Sequence, residues 1–177
     1  MTLSRLRLSV ADARDLAEGA LRGIGYHNDE ARIIAEHVID AAMCGYEYSG
    51  LAKILNVFES EHVRLPRRSM KVLRETEVSL AFDGGNNVGM LALFHAAQAT
   101  INKAAAHGIA LVSVTDAWMS GRGAYYIEMI ANHRPYPDTP GHTRTENPCV
   151  VPIPSAYLVQ CPGLSRTRVD TPRQAIL

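Results

Sequence analysis

Apolar residues recur at helical spacing through residues 1–66, with helix-start and helix-stop signals between them. Ser9 and Asp12, three positions apart, resemble a capping box, which predicts a first helix. Asn28 can cap a second helix that ends near Gly45. The apolar stripe of a third helix is Leu51, Ile54, Leu55 and Phe58. The pattern predicts three helices before any strand.

A strand-like pattern follows. Two short apolar runs, the second with clear alternation, predict two strands joined around Glu75 to Glu77. Their apolar residues are Val72, Leu73, Val78, Leu80 and Phe82. We interpret residues 83–87 as a turn, because glycine and asparagine tolerate positive φ.

An Ala-rich stretch from Val88 to His107 predicts a long helix that Gly108 caps. The unbroken aliphatic run of residues 109–114 then predicts a strand buried on both faces, in one sheet with the two preceding strands. A loop over residues 116–123 leads into another helix. Ligands of open α/β sheets bind beyond the carboxyl ends of strands, so this loop is a candidate site. Its glycines would let a ligand approach the backbone, although glycines so spaced after a strand more often mark just a tight turn.

Proline marks the end of the regular pattern. Eight of the nine prolines lie between Pro135 and Pro172, where they remove amide donors and fix φ. The predicted fold class is therefore α/β: a helical N-terminal portion over 1–66, a partial mixed sheet with packed helices over 67–133, and an irregular, Pro-rich and poorly packed C-terminal tail over 134–177.

Composition narrows the partners. The 18 basic and 18 acidic residues cancel, so no overall field favours nucleic acid or an anionic membrane. No apolar run reaches membrane-spanning length and no secretory signal is evident, which predicts a cytoplasmic protein. Cys44, Cys149 and Cys161 are scattered and are expected to be reduced thiols. No histidine pair has metal-ligand spacing, so no metal site is expected.

Three stretches between about Val10 and His133 have sequences that, taken together, are typical of a single protein family. They are Ala41-Ala42-Met43-Cys44-Gly45, Ala81-Phe82-Asp83-Gly84 before a long Ala-rich helix, and His107-Gly108-Ile109-Ala110-Leu111-Val112-Ser113-Val114 before the loop. Together they resemble the malate/L-lactate dehydrogenase family, whose nicotinamide-binding fold is not a Rossmann fold. The resemblance implies NAD or NADP as cofactor, hydride transfer to or from a small 2-oxo or 2-hydroxy acid, and a possible homodimer.

The resemblance places candidate catalytic residues in the connector after the second helix. The family typically has Ser-His-Gly-x-x-Arg there, with the His exchanging a proton with the substrate oxygen and the Arg holding the substrate. This chain has Tyr48-Ser49-Gly50-Leu51-Ala52-Lys53, so Ser49 stands in the position of the His and Lys53 in that of the Arg.

Each of these residues has a chemical and a structural interpretation. Lys53 could fix a substrate carboxylate as a point charge, or could be a solvated helix charge. Ser49 is a poor acid and could instead be the N-cap of the third helix. Tyr48 carries a phenol that a nearby lysine could make more acidic, or it packs on the third helix.

The later loop supplies the candidate cofactor-binding residues Met119, Ser120, Gly121 and Arg122. Where the family commonly has Ser-x-His-x-Gly, this chain has Ala117-Trp118-Met119-Ser120-Gly121, so the glycine is kept and the histidine is lost. Met119 and Trp118 could border a nicotinamide ring, or the Trp could be a core residue. Arg122 could hold a nucleotide phosphate or face solvent.

Family members are longer than this chain, and a truncated or frame-shifted product would look like it. An alternative to the dehydrogenase is therefore a non-catalytic fragment that retains only a binding or dimerisation surface.

Overall fold

The computed structural model describes residues 7–133 and the backbone of two short pieces near the C-terminus. The elements are β1 (Arg7–Leu8), α1 (Val10–Ile24), α2 (Asn28–Met43), α3 (Lys53–Glu59), β2 (Lys71–Glu75), β3 (Ser79–Val88), α4 (Gly89–His107), β4 (Leu111–Trp118), α5 (Gly123–Asn132), β5 (Ile153–Pro154) and β6 (Ala175–Ile176). The α/β class is confirmed. The rest of the predicted tail lies outside the described residues. In the part of the chain that is described, no helix is long and apolar enough to cross a membrane.

The capping signals of the first two helices are close to those predicted. The Ser9 hydroxyl accepts a hydrogen bond from the Asp12 amide at 3.0 Å, as a capping residue does. The predicted cap of α2, Asn28, is one residue late. His27 is the N-cap, and its amide donates to the Glu30 carboxylate at 2.9 Å. A two-residue strand, β1, also precedes α1 and pairs with β6. The helical pattern of the N-terminal residues did not predict this strand.

Helix α3 is shorter than predicted and buries a different stripe. Ile54 and Val57 are buried, whereas Leu55 and Phe58 are more than half exposed. A helix of two turns presents only one narrow face to its neighbours, and here that face joins the core cluster of α1 and α2. The apolar stripe predicted for this helix is therefore only partly packed against the core.

The sheet confirms the predicted pairing. Its order is β2-β3-β4-β5, with β2 antiparallel to β3 and β4 parallel to β3. Helix α4 is the crossover that parallel neighbours require. Its apolar face packs on one side of the sheet. The buried residues of this second core are Leu80, Ala92, Leu93, Ala96, Ala97, Val112, Val114 and Tyr126.

Residues 83–87 are not a turn. They continue β3, and the pairing with β4 shifts register between Asp83 and Asn87, which is an irregularity of the bulge type. The expected positive φ is present at Gly85 (65°) and Asn86 (59°). The glycines and asparagines therefore bend a strand instead of reversing the chain.

Strand β4 is buried on one face only. Val112 and Val114 are buried against α4, whereas Ile109 is 62% exposed and Leu111 is 53% exposed. Helices α4 and α5 cover one side of the sheet, and nothing in the described residues covers Leu111 on the other side. The prediction of burial on both faces was wrong. The strand also runs four residues further than predicted, to Trp118.

Candidate functional site

The connector brings two of the predicted catalytic residues together. Tyr48 lies on a single 3-10 turn, Glu47–Ser49, and Lys53 is the first residue of α3. The Lys53 ammonium lies over the Tyr48 ring, 4.3 Å from its centroid. The contact is a cation–π interaction with the ring face, not a hydrogen bond to the phenol oxygen.

Lys53 is buried, with 9% of its surface exposed, while Tyr48 is 72% exposed. Most of the Lys53 side chain is therefore packed, and Tyr48 contacts α3 through Lys53 but is not buried against it. Lys53 forms no ion pair within residues 7–133. The aliphatic part of Lys53 is packed, and its ammonium has no carboxylate partner there, so it can bind an anionic ligand through a charge-assisted hydrogen bond.

Ser49 does not cap α3, because the N-cap position is Ala52. Its amide instead donates to the Tyr46 carbonyl at 3.1 Å within the 3-10 turn. Gly50, next along the chain, packs so closely on α2 that an added Cβ would lie 3.0 Å from the Cβ of Ala42. This contact holds the connector against α2 and leaves Ser49 half-buried.

The second candidate region is the end of β4 and the loop that follows. Asp116 and Met119 both have positive φ, at 50° and 56°, so the backbone departs from regular strand geometry on each side of Trp118. A cavity of about 190 Å³ lies here, between the first turns of α4 and the strand end. Its lining residues are Gly89, Leu93, Val114, Thr115, Asp116, Ala117, Trp118, Met119 and Ser120.

Gly121 has a packing role that the sequence did not reveal. It has φ of 70°, and an added Cβ would lie 2.2 Å from Nε2 of His37 on α2. At Gly123, in contrast, an added Cβ would meet nothing within 4 Å. Close packing against His37 therefore explains the first glycine, and contact of Gly121 with a cofactor stays a prediction. The Ser120 carbonyl is also engaged, since it accepts from the Tyr126 hydroxyl at 2.7 Å.

Arg122 is buried and paired, so the interpretation as a solvent-facing side chain is wrong. Its guanidinium donates to the Asp40 carboxylate and, at 3.0 Å, to that of Glu128. Although burial lowers the pKa of Arg122, the hydrogen bonds to Glu128 and Asp40 outweigh it and raise the pKa above its ordinary value. A nucleotide phosphate would have to compete with both carboxylates.

His37 is a further candidate site residue that no local sequence pattern indicates. Its Nε2 accepts a hydrogen bond from the Arg122 amide at 2.8 Å, and its ring contacts Tyr125 and Tyr126 at centroid distances of 4.6 and 5.3 Å. Burial, assisted by the Arg122 charge, lowers the pKa of His37 to about 4. The imidazole is therefore neutral at pH 7. Its partner lies 85 positions away, so no local spacing could reveal the pair.

A further cluster of interacting side chains lies at the end of β4, and the sequence did not predict it. The His62 ring stacks on Trp118, and the indole N–H of Trp118 donates to the Asn86 carbonyl at 3.2 Å. Asp116 accepts hydrogen bonds from the Asn86 amide at 3.1 Å and from Arg68 at 2.7 Å. Trp118 also packs against the N-terminal core cluster, so it is both a core contact and a cavity wall.

Metal ligands do not converge in the described part of the chain. No group of three or more His, Cys, Asp or Glu residues in residues 7–133 could hold a metal ion.

Comparison with known proteins gives a consistent family. The family model for malate/L-lactate dehydrogenase matches residues 8–134. Hydroxycarboxylate dehydrogenase B of Escherichia coli is 27% identical over 128 residues, which are 71% of this chain and 35% of the relative. L-lactate dehydrogenase of Cupriavidus necator is 28% identical, with coverage of 71% and 37%. The chain thus spans just over a third of the length of these curated relatives.

The fold is also shared with solved structures. Malate dehydrogenase from Pyrococcus horikoshii superposes with a TM-score of 0.68 at 20% identity, over 72% of this chain and 37% of that chain. The helical N-terminal portion, the mixed sheet and the matched residues lead to one conclusion: this chain belongs to the malate/L-lactate dehydrogenase family.

Proposed function

We propose that this chain is part of an oxidoreductase that interconverts a small 2-hydroxy acid and its 2-oxo acid with NAD or NADP. The observation that carries the proposal is Lys53, a lysine with 9% of its surface exposed whose ammonium has no ion pair within the described residues. The relatives named above are dehydrogenases, two of them named for lactate or malate, so they do not favour the alternative of a purely non-catalytic fragment.

The chemistry needs a cation to orient the substrate and a group to exchange a proton. Lys53 would bind the carboxylate of the acid, since a charge-assisted hydrogen bond is stronger in a site that excludes water. Tyr48 forms an exposed aromatic wall over that ammonium. Ser49, half-buried beside them, would contribute a hydrogen bond to the substrate oxygen.

The described residues fit only one end of the cofactor. A cavity of about 190 Å³ is smaller than the 300–1,000 Å³ of typical small-molecule sites. It suits a nicotinamide ring or a small acid, with Met119 and Ser120 in its wall. When bound, the cofactor would supply or accept the hydride. The predicted phosphate ligand, Arg122, is engaged by Asp40 and Glu128. The rest of a dinucleotide therefore needs residues beyond those described.

The resemblance also suggests a homodimer and a cytoplasmic location, which we retain as proposals. Light scattering over a range of protein concentrations would test the dimer.

The experiment for the function is cofactor titration followed by turnover. We expect NADH or NADPH to quench the fluorescence of Trp118, the one tryptophan, because that residue borders the cavity. Turnover of pyruvate and oxaloacetate should be slow in the purified chain if Ser49, a weak acid, is its only general acid. Ser49→His should raise the rate, by about a hundredfold if it restores a general acid.

Two variants separate the roles of the connector residues. Tyr48→Phe keeps the ring under Lys53 and should leave the rate unchanged. Tyr46→Phe, at the other exposed tyrosine of the connector, is the matched control. Turnover that Tyr48→Phe abolishes would make Tyr48 the acid. Absence of cofactor binding together with no gain in Ser49→His would contradict the proposed function.

A further inference from the structure

The exposed imidazole of His62 is held in a defined orientation. His62 lies on the 3-10 helix Glu61–Arg64, and its ring stacks on Trp118 with centroids 5.2 Å apart and planes inclined by 16°. Its Nδ1 lies 3.2 Å from Oδ1 of Asn86. The stack fixes the plane of the ring, and the hydrogen bond fixes its rotation within that plane.

Asn86 determines which ring nitrogen carries the proton. The Asn86 Nδ2 donates to the backbone carbonyls of His62 at 3.0 Å and Leu65 at 3.4 Å, which leaves its Oδ1 facing the imidazole as an acceptor. An acceptor at that position requires a proton on Nδ1. The neutral ring therefore has its lone pair on Nε2, which forms no hydrogen bond within residues 7–133.

Two of the residues that position this imidazole, directly or through Asn86, also line the cavity. Trp118 lines the cavity and donates its indole N–H to the Asn86 carbonyl. Asp116 also lines it and accepts from the Asn86 amide. Asn86 is thus hydrogen-bonded to two cavity residues and to the segment that carries His62, so it is itself held in place and can orient the ring.

We propose that His62 exchanges a proton, through Nε2, with the oxygen of a 2-hydroxy or 2-oxo acid bound at the end of β4; this rests on the proposed function. Reduction adds a hydride, supplied by the reduced nicotinamide, to the carbonyl carbon and a proton, supplied by imidazolium His62, to the oxygen. The C=O double bond becomes C–OH, and His62 returns to the neutral form with its proton on Nδ1. That is the tautomer that Asn86 stabilises. His62 thereby provides the acid that Ser49 lacks.

Nitrogen NMR of the histidine rings tests the inference without turnover. In the full chain labelled with ¹⁵N histidine, the His62 signals, assigned by their loss in His62→Gln, should show a proton on Nδ1 at neutral pH. Asn86→Asp keeps an acceptor and should keep this tautomer. In Asn86→Gly, glycine adopts the positive φ without strain but the acceptor is removed, so His62 should no longer prefer the tautomer with its proton on Nδ1. Added pyruvate should shift the His62 signals saturably and leave those of exposed His107 unchanged.

Kinetics supply a second readout. His62→Gln should lower kcat by about a hundredfold with little change in KM, and His107→Gln should have no effect. A proton on Nε2 in the native chain, no response to pyruvate, or full activity in His62→Gln would each overturn the role of His62. If the native chain has no turnover while the NMR results hold, the proposed function fails and the assignment of His62 as an oriented ligand-responsive imidazole stands.

Discussion

Nε2 of His37 accepts a hydrogen bond from the backbone amide of Arg122, and this 2.8 Å contact joins the middle of α2 to the loop that opens α5. The first amides of a helix have no partner within the helix. Here a side chain from another helix supplies one. The same arginine's guanidinium binds Asp40, one turn further along α2. The loop beside the cavity is thus attached to α2 twice, which fixes its position relative to the sheet.

The first prediction concerns stability at low pH. The pKa of His37 is about 4 in the folded chain because of burial and about 6.5 in the unfolded chain. Between these pH values the unfolded state binds more protons than the folded state. The contribution of His37 to the free energy of unfolding is therefore complete above pH 6.5 and is lost as the pH falls towards 4. The loss from this group should be on the order of 3 kcal/mol. Urea unfolding at pH 7.5, 5.5 and 4.5 measures it.

His37→Gln is the control for that experiment. A glutamine carbonyl can still accept the Arg122 amide but does not titrate in this range. Burial also lowers the pKa of His95, and that contribution is present in both proteins. The difference between the two stability curves therefore isolates His37. Parallel curves for the two proteins from pH 7.5 to 4.5 would show that His37 is not buried in its neutral form.

The second prediction concerns the two glycines of the loop. Gly121→Ala places a Cβ 2.2 Å from Nε2 of His37 at a φ of 70°, so either the loop or α2 must shift. Strain of this kind costs about 1–3 kcal/mol of stability and should be visible as a lower urea midpoint. Gly123→Ala meets nothing within 4 Å and should be neutral or slightly stabilising. Equal effects of the two substitutions would refute the packing role of Gly121.

Much of the fold could be predicted because local signals and hydrophobic period agree there. The cap at Ser9, the helix that ends at Gly108 and the pairing of β3 with β4 each follow from neighbouring residues. The predictions fail where the packing of distant elements, and not the local sequence, determines which side chains are buried. A run such as residues 109–114 is apolar throughout, and only the position of α4 and α5 determines which of its faces is buried.

The candidate site was only partly predictable for the same reason. Tyr48 and Lys53 are five positions apart, so their contact is local and could be foreseen. The partners of Arg122 and His62 come from distant segments, since Asp40 is 82 positions from Arg122 and Asn86 is 24 positions from His62. Sequence spacing contains no trace of such pairs. Only the folded arrangement shows that Arg122 is already occupied.

The third prediction tests the buried ion pairs of Arg122. Asp40→Asn leaves the guanidinium of Arg122, a residue that is 8% exposed, with Glu128 as its remaining carboxylate and should cost about 1–3 kcal/mol of stability. Glu36→Gln is the matched change on the same helix. Its partner Arg14 is exposed, so the loss should be below about 1 kcal/mol. Thermal unfolding at low and high salt separates the two, because salt screens the more exposed Arg14–Glu36 pair more strongly than the pairs of Arg122. A cost at Asp40 no larger than at Glu36 would contradict the buried pairing.

The last prediction joins stability to the proposed substrate site. Lys53→Met keeps most of the side-chain volume but removes an ammonium that has no ion pair among the described residues. The variant should unfold at about the same urea concentration, because methionine keeps the apolar packing of the Lys53 stem and no ion pair is lost. If Lys53 binds the substrate carboxylate, the KM for pyruvate should rise about tenfold to a hundredfold, the equivalent of one hydrogen bond to a charged group. Lys71→Met, at an exposed lysine of β2, should change neither quantity. A marked loss of stability with an unchanged KM would instead assign Lys53 to the support of Tyr48 and the connector.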